Sequence, residues 1–233
     1  EAAMKYRIAK RWGKPVDKKE WHMTPQTVNA YYDPTTNSIN FPAAILQPPF
    51  FDPTVDDAAN YGAIVAVIGH EMSHGFDDQG CQFDKDGNMK NWWTEEDKKN
   101  YDARTKVLVD WFNKQEVIPG LHVNGEKTLG ENIGDNGGLN IAFRALENSM
   151  KAKPLSDMDG FTPAQRFFLA YAGVWGQNIT DKEIRNRVKR DPHSLGKWRV
   201  NGALPHINAF YKAWNIKKGD KMYLPENERL QLW

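Results

Sequence analysis

The feature that most constrains this chain is the apolar run Ile64-Val65-Ala66-Val67-Ile68, which stops one residue short of His70-Glu71-Met72-Ser73-His74. An unbroken apolar stretch asks for burial, and on a helix it carries the residues that follow it toward the interior. Residues four apart share a helix face. His70 and His74 therefore point the same way, and two imidazoles at that spacing can reach one tetrahedral zinc ion. Glu71 points into the same cleft, placed to act as general base on a water at the metal. Two satisfied histidines on an amphipathic helix would give the same pattern. A buried glutamate flanked by two histidines is costly without a metal or a partner, and that cost favours zinc, one ion per chain.

Catalytic zinc keeps three protein ligands and one open position. A third histidine in the H-E-x-x-H-x-x-G-x-x-H pattern is absent, because Asp77 stands where the Gly would be and Gly80 where the His would be. A glutamate on a later helix is the other solution. Glu95 and Glu96 are near candidates, but they follow Thr94 in a capping box closed by Asp97, where acids favour the helix dipole. Glu131 is the far candidate, in Gly130-Glu131-Asn132-Ile133-Gly134-Asp135-Asn136-Gly137-Gly138. Glu131 and Asp135 are again four apart. One carboxylate could bind the metal while the other accepts the free N–H of a ligand histidine. A solvated acidic helix start would look alike, although the glycines around both acids suit close packing better. These residues alone leave the third ligand open.

The rest of the chain can bury such a site. Of its 233 residues 40% are hydrophobic and 12% aromatic, with nine Trp, which argues for a large core and against disorder. A formal net charge of +1 gives no electrostatic reason to expect nucleic acid or an anionic membrane as partner. Cys81 is the single cysteine, so no intrachain disulfide forms and the redox compartment stays undecided. The longest apolar run, 63–68, is far below the about 18 residues of a membrane span.

The pattern predicts a helix over 2–11, closed near Gly13-Lys14-Pro15. A β-hairpin is expected from 28–32 and 38–41 around the turn Asp33-Pro34-Thr35-Thr36-Asn37. Residues 46–51, with Pro48-Pro49, read as loop. Helices are expected over 56–76, from the Thr94 capping box to about 112, over 130–150, from Thr162-Pro163 to about 178, and over 181–190. From 195 onward the chain reads as irregular. The fold class is α+β, mostly helical with a small β element, and no linker divides it.

Several segments resemble the neprilysin family of zinc metallopeptidases, which includes endothelin-converting enzymes and bacterial oligopeptidase O. They are Val28-Asn29-Ala30-Tyr31-Tyr32, the stretch from Val67 through His70-Glu71-Met72-Ser73-His74 to Asp78, the Gly130 to Leu139 stretch, and Asp191-Pro192-His193-Ser194 through Arg199. The stretch from Phe41 to Phe51 and the ending Leu232-Trp233 are also similar. The motifs run in family order over nearly the whole chain. The resemblance implies a thermolysin-like zincin catalytic domain over 1–233. It implies zinc held by His70, His74 and Glu131, with Glu71 as base and Asp135 and Asp77 orienting the ligand histidines. His193 would stabilise an oxyanion. Arg199 and the Asn29-Ala30 backbone would hold the substrate backbone. Ile45, Phe50, Val67, Val174 and Trp175 would line an apolar pocket for the residue after the scissile bond. The implied activity is endopeptidase cleavage of short peptides on the amino side of bulky apolar residues.

Animal members carry a cysteine near the C-terminal Trp, whereas Gln231 stands in that region here, so the chain resembles a bacterial member. The family's long helical N-terminal part, which caps the active site, is missing. The chain opens at Glu1 with no initiator Met and no signal peptide, so a fragment or processed product is expected. The capping domain and peptide substrates are the expected partners, and an extracellular or periplasmic setting is favoured over the cytoplasm. Two other outcomes stay open at this level: a non-catalytic zinc- or peptide-binding module, and a fragment that binds zinc and peptide with little turnover.

Overall fold

A computed structural model describes residues 2–232. Glu1 and Trp233, the latter part of the family-like ending, lie outside the described residues. The first helix, α1 (Ala2–Arg11), ends where expected, with Gly13 in the left-handed region at φ 71°. The hairpin pairs β1 (Tyr31–Asp33) with β2 (Ser38–Asn40), antiparallel with Tyr32 opposite Ile39. Its pairing differs from the prediction: Val28, Asn29 and Ala30 precede the first pair, Phe41 follows the second strand, and Asp33 pairs with Ser38 instead of lying in the turn.

The expected helix over 56–76 is one helical path with changes of pitch. Asp56 caps α2 (Asp57–Asn60) by accepting from Ala58 N–H at 3.0 Å. A π-helical turn, Tyr61–Val65, leads into α3 (Ala66–Ser73), and a 3-10 turn, His74–Phe76, ends it. The capping box of α4 (Glu95–Asn113) is formed in both directions by Thr94 and Asp97. A second hairpin, β3 (Glu116–Ile118) and β4 (Leu121–His122), was not expected from the sequence. Its signal was there: Pro119-Gly120 is a turn pair, and Gly120 has φ 77°.

Helix α5 (Leu129–Ala152) is the longest described helix, with 24 residues. Every residue from Asn132 to Leu139 is buried, so this stretch presents no face to solvent. On one side Leu139, Ala142 and Leu146 pack with Phe167, Phe168 and Tyr171 of α6 (Pro163–Val174). On the other, Ile133 packs with Tyr101, Leu108 and Phe112 of α4. Against α3, α5 approaches at backbone distance through glycine. A Cβ at Gly138 would lie 2.4 Å from the Ala66 carbonyl oxygen, and one at Gly134 would lie 2.7 Å from the His70 ring.

Two expectations need correction beyond these. Helix α6 stops at Val174 rather than near 178, with Trp175 leaving helical geometry between Gly173 and Gly176. Glycine costs about 1 kcal/mol in a helix interior, and two of them let the chain turn. After α7 (Asp181–Arg190) the tail is ordered, not irregular: α8 (Gly196–Asn201), a 3-10 turn (Leu204–His206) and α9 (Asn208–Trp214) follow. These elements are short and interrupted by Gly202 and Pro205, so local propensity is weak. Burial of Leu204, Ile207 and Phe210 against the α6 aromatics stabilises them instead.

Candidate metal centre

Three histidine nitrogens converge on one carboxylate oxygen. Glu131 Oε2, in the first turn of α5, lies 3.2 Å from His70 Nε2, 3.8 Å from His74 Nε2 and 3.2 Å from His193 Nε2. His70, His74 and Glu131 form a group whose ligand atoms all lie within 4.8 Å of one another. Glu95 and Glu96, the near candidates for a third ligand, are exposed in the first turn of α4.

The far nitrogens of the rings are committed. His70 Nδ1 donates to Asp135 Oδ1 at 3.0 Å, and His74 Nδ1 donates to Asp77 Oδ2 at 2.7 Å. Asp77 is itself fixed by the backbone N–H groups of Gln79 and Gly80. With Nδ1 committed on both rings, Nε2 of each faces Glu131. Glu131 Oε2 is buried and has no hydrogen-bond partner. Ring nitrogens converging on a buried carboxylate oxygen make a donor set that could hold a cation. Burial opposes a charged His70, but contacts with Asp135 and Glu131 outweigh it, and its pKa is pushed up to about 9. Two imidazoles and a carboxylate suit zinc.

Glu71 lies in the same cleft, 5% exposed. Burial is the main effect on its carboxyl and pushes it up, with Glu131 adding to the rise and His70 and His74 opposing. A carboxylate raised toward neutrality suits proton transfer.

The C-terminal residues expected from the family likeness fold back to this point. His193 sits on the loop after α7, its Nδ1 2.7 Å from Asp191 Oδ1. Arg199 of α8 is buried and committed to Asp135, donating from Nε at 2.9 Å and from Nη2 at 2.6 Å. Its guanidinium carbon lies 3.7 Å from the centre of the Trp175 ring. Nη1 makes no hydrogen bond with the described residues, and Arg199 lines the cleft. So the arginine assigned only to substrate also anchors the aspartate behind His70. Burial and then Arg199 act on the Asp135 carboxyl in opposite senses, and the net effect lowers it.

One cleft of about 690 Å³ gathers the other expected residues. Asn29 and the buried Ala30 line it just before β1. Ile45, Phe50, Val67, Val174 and Trp175 supply an apolar wall. Sequence reasoning missed Asp191 and Tyr171, whose hydroxyl donates to the Arg199 carbonyl at 3.1 Å. An Asp two residues before a His is an Asx-turn pattern that could have flagged Asp191. Tyr171 had no local signal.

Residues 29–230 match the sequence model of Peptidase family M13. The chain is 43% identical over 212 residues to an endothelin-converting enzyme homolog of Locusta migratoria, covering 89% of this chain and 29% of that protein. It is 39% identical over 230 residues to neprilysin of Homo sapiens, covering 96% of this chain and 30% of that protein. It superposes on the zinc metalloprotease Zmp1 of Mycobacterium tuberculosis, solved with an inhibitor, with TM-score 0.94 and 47% identity over 99% of this chain and 36% of that one. The chain thus spans about a third of the length of these relatives. Among the described residues no helix is long and apolar enough to cross a membrane. The match over nearly all its length, with the likeness in both sequence and structure, makes this chain a member of peptidase family M13, the neprilysin family.

Proposed function

We propose that the chain carries the catalytic centre of a zinc endopeptidase acting on short peptides and cutting on the amino side of a bulky apolar residue. The observation that carries this reading is the convergence of His70 Nε2, His74 Nε2 and Glu131 Oε2 beside a buried Glu71. Those three atoms would hold zinc. When bound, zinc supplies Lewis acidity to the scissile carbonyl and the attacking water.

The remaining chemistry belongs to the chain's own side chains. The Glu71 carboxylate takes a proton from the attacking water and gives it to the leaving amine nitrogen. His193 donates from Nε2 to the oxyanion. Its Nδ1 faces the Asp191 carboxylate at 2.7 Å, which orients the ring for that donation. Arg199 Nη1 and the Asn29-Ala30 backbone hold the substrate main chain. Ile45, Phe50, Val67, Val174 and Trp175 receive the apolar side chain after the cut bond. Family membership also supports an extracellular or periplasmic setting. The 47% identity to the mycobacterial structure supports a bacterial origin, which the insect and human relatives leave open.

Quenched peptides that differ only in the residue after the scissile bond test this reading, with zinc measured in the same samples. Zinc-dependent cleavage ahead of Phe or Leu and not ahead of Asp is expected. A zinc-loaded protein that cuts both peptides equally would overturn the pocket assignment. A second reading is favoured by the chain's span of 29% of the locust relative: taken apart from the rest of that length, this part would bind zinc and peptide and turn over slowly. Tight peptide binding without cleavage, restored in a longer form, would favour that reading.

A further inference from the structure

His193 sits on a loop, is 43% exposed at its side chain, and yet stands 3.2 Å from Glu131 Oε2. Something must hold an exposed loop residue to that distance from α5. The neighbours of both residues supply it. Ser194 Oγ donates to Asn132 Oδ1 at 2.8 Å, and both side chains are buried, at 5% and 1% exposure. Asn132 Nδ2 donates to Thr128 Oγ1 at 2.9 Å, and Thr128 Oγ1 donates to the Asn124 carbonyl at 2.9 Å. The chain of donors runs in one direction and ends on backbone, so each acceptor is used. On the other side of the loop, Lys127 Nζ reaches the carbonyls of Val188 and Lys189 at the end of α7. One anchor, Lys127, immediately precedes α5, and the other, Asn132, lies at the start of that helix, next to Glu131.

We infer that Ser194, Asn132 and Lys127 are positioning residues: they staple the His193 loop to the start of α5 and so fix the imidazole beside the Glu131 carboxylate. Because Ser194 adjoins His193 and Asn132 adjoins Glu131, one buried hydrogen bond sets the register between an oxyanion donor and a metal ligand. The catalytic meaning of this staple rests on the proposed role of His193; the staple itself does not.

The test separates the two. In the metal-free full chain, carbethoxylation of His193 is followed by peptide mass spectrometry, with His22, 50% exposed at its side chain, as the internal standard. Ser194→Ala should raise the His193 rate relative to His22 by about threefold or more, as local opening of the loop becomes easier. Lys127→Met, at an exposed position, should act in the same direction by less, and serves if Ser194→Ala does not fold. Thr105→Val, which removes a buried hydroxyl bonded within α4, should leave the ratio unchanged. An unchanged ratio in the folded Ser194 or Lys127 variant overturns the staple, and so does an equal rise in the Thr105 variant. In the zinc-loaded protein Ser194→Ala should lower kcat with KM little changed, and should add nothing in a His193→Ala background. A full additional loss there overturns the inference. If His193→Ala itself leaves kcat intact, the oxyanion role fails while the labelling result still decides the staple.

Discussion

Asp135 and Arg199 form a two-point ion pair, with Nε on Oδ2 at 2.9 Å and Nη2 on Oδ1 at 2.6 Å. The Oδ1 that accepts from Arg199 also accepts from His70 Nδ1, at 3.0 Å. A guanidinium thus fixes the carboxylate, and the carboxylate orients the His70 ring, the proposed metal ligand. Asp135→Ala should weaken zinc binding roughly 10–100-fold, the scale for a group behind a ligand histidine. It also leaves Arg199 buried without its partner, so Asp135→Asn, which keeps an acceptor, should lose less. Competition against a chelator of known affinity measures both. Wild-type zinc affinity in both variants would show that Asp135 does not hold His70.

Glu71→Gln should keep the metal and lose the chemistry. Glutamine has nearly the same shape but takes no proton. Removing a general base costs about 10²–10⁴ in rate. The informative measurement is kcat at full zinc occupancy, and an unchanged value would remove Glu71 from the role of base.

His193→Ala and Arg199→Ala should fail differently. A donor aimed at the oxyanion acts mainly in the transition state, so His193→Ala should lower kcat by about 10²–10³. The proposed role of Arg199, Nη1 on the substrate in ground and transition states alike, by itself predicts a raised KM for Arg199→Ala. Its ion pair with Asp135 adds a second consequence: zinc affinity should fall as well. Kinetics at saturating zinc, combined with zinc titration, separate these effects. Loss of kcat alone in Arg199→Ala would contradict both assignments.

The sequence made some of this site readable and hid the rest for definable reasons. His70, Glu71 and His74 are legible because an i, i+4 spacing on an apolar helix carries its own geometry. Glu131 and Asp135 share that advantage, but their link to His70 spans more than sixty residues and rests on the family likeness. The glycines around them now have a physical cause, since side chains at Gly134 and Gly138 would strike His70 and the α3 backbone. His193 and Arg199 were placed by likeness alone, because a loop and a six-residue helix carry no periodicity. The staple of Ser194 to Asn132 was invisible for the same reason: two small polar residues sixty-two apart announce nothing until the fold joins them. The tail was misjudged because its helices depend on burial rather than on caps or propensity.

The last prediction concerns His206, away from the metal. It is 3% exposed, with Nδ1 accepting from the Leu230 N–H at 3.0 Å and its ring edge-on to Trp111. Burial first, and the nearby Arg229 charge second, push its pKa down to about 4. The unfolded chain binds this proton near pH 6.5. Between about pH 6.5 and about pH 4 the unfolded state therefore holds more protons than the folded one, and folding stability rises with pH. The contribution is fully present above pH 6.5 and is lost as pH falls toward 4. At about 1.4 kcal/mol per pH unit the loss is about 3 kcal/mol. Protonation at Nδ1 would also break the bond from Leu230 and loosen the C-terminal strand of chain beside α9. Denaturant unfolding of wild type and His206→Gln from pH 7.5 to 4 tests this, because other titrating groups are common to both proteins and cancel in the difference. The stability gap should narrow as pH falls through this window. Parallel curves would mean that His206 is not held neutral by the fold.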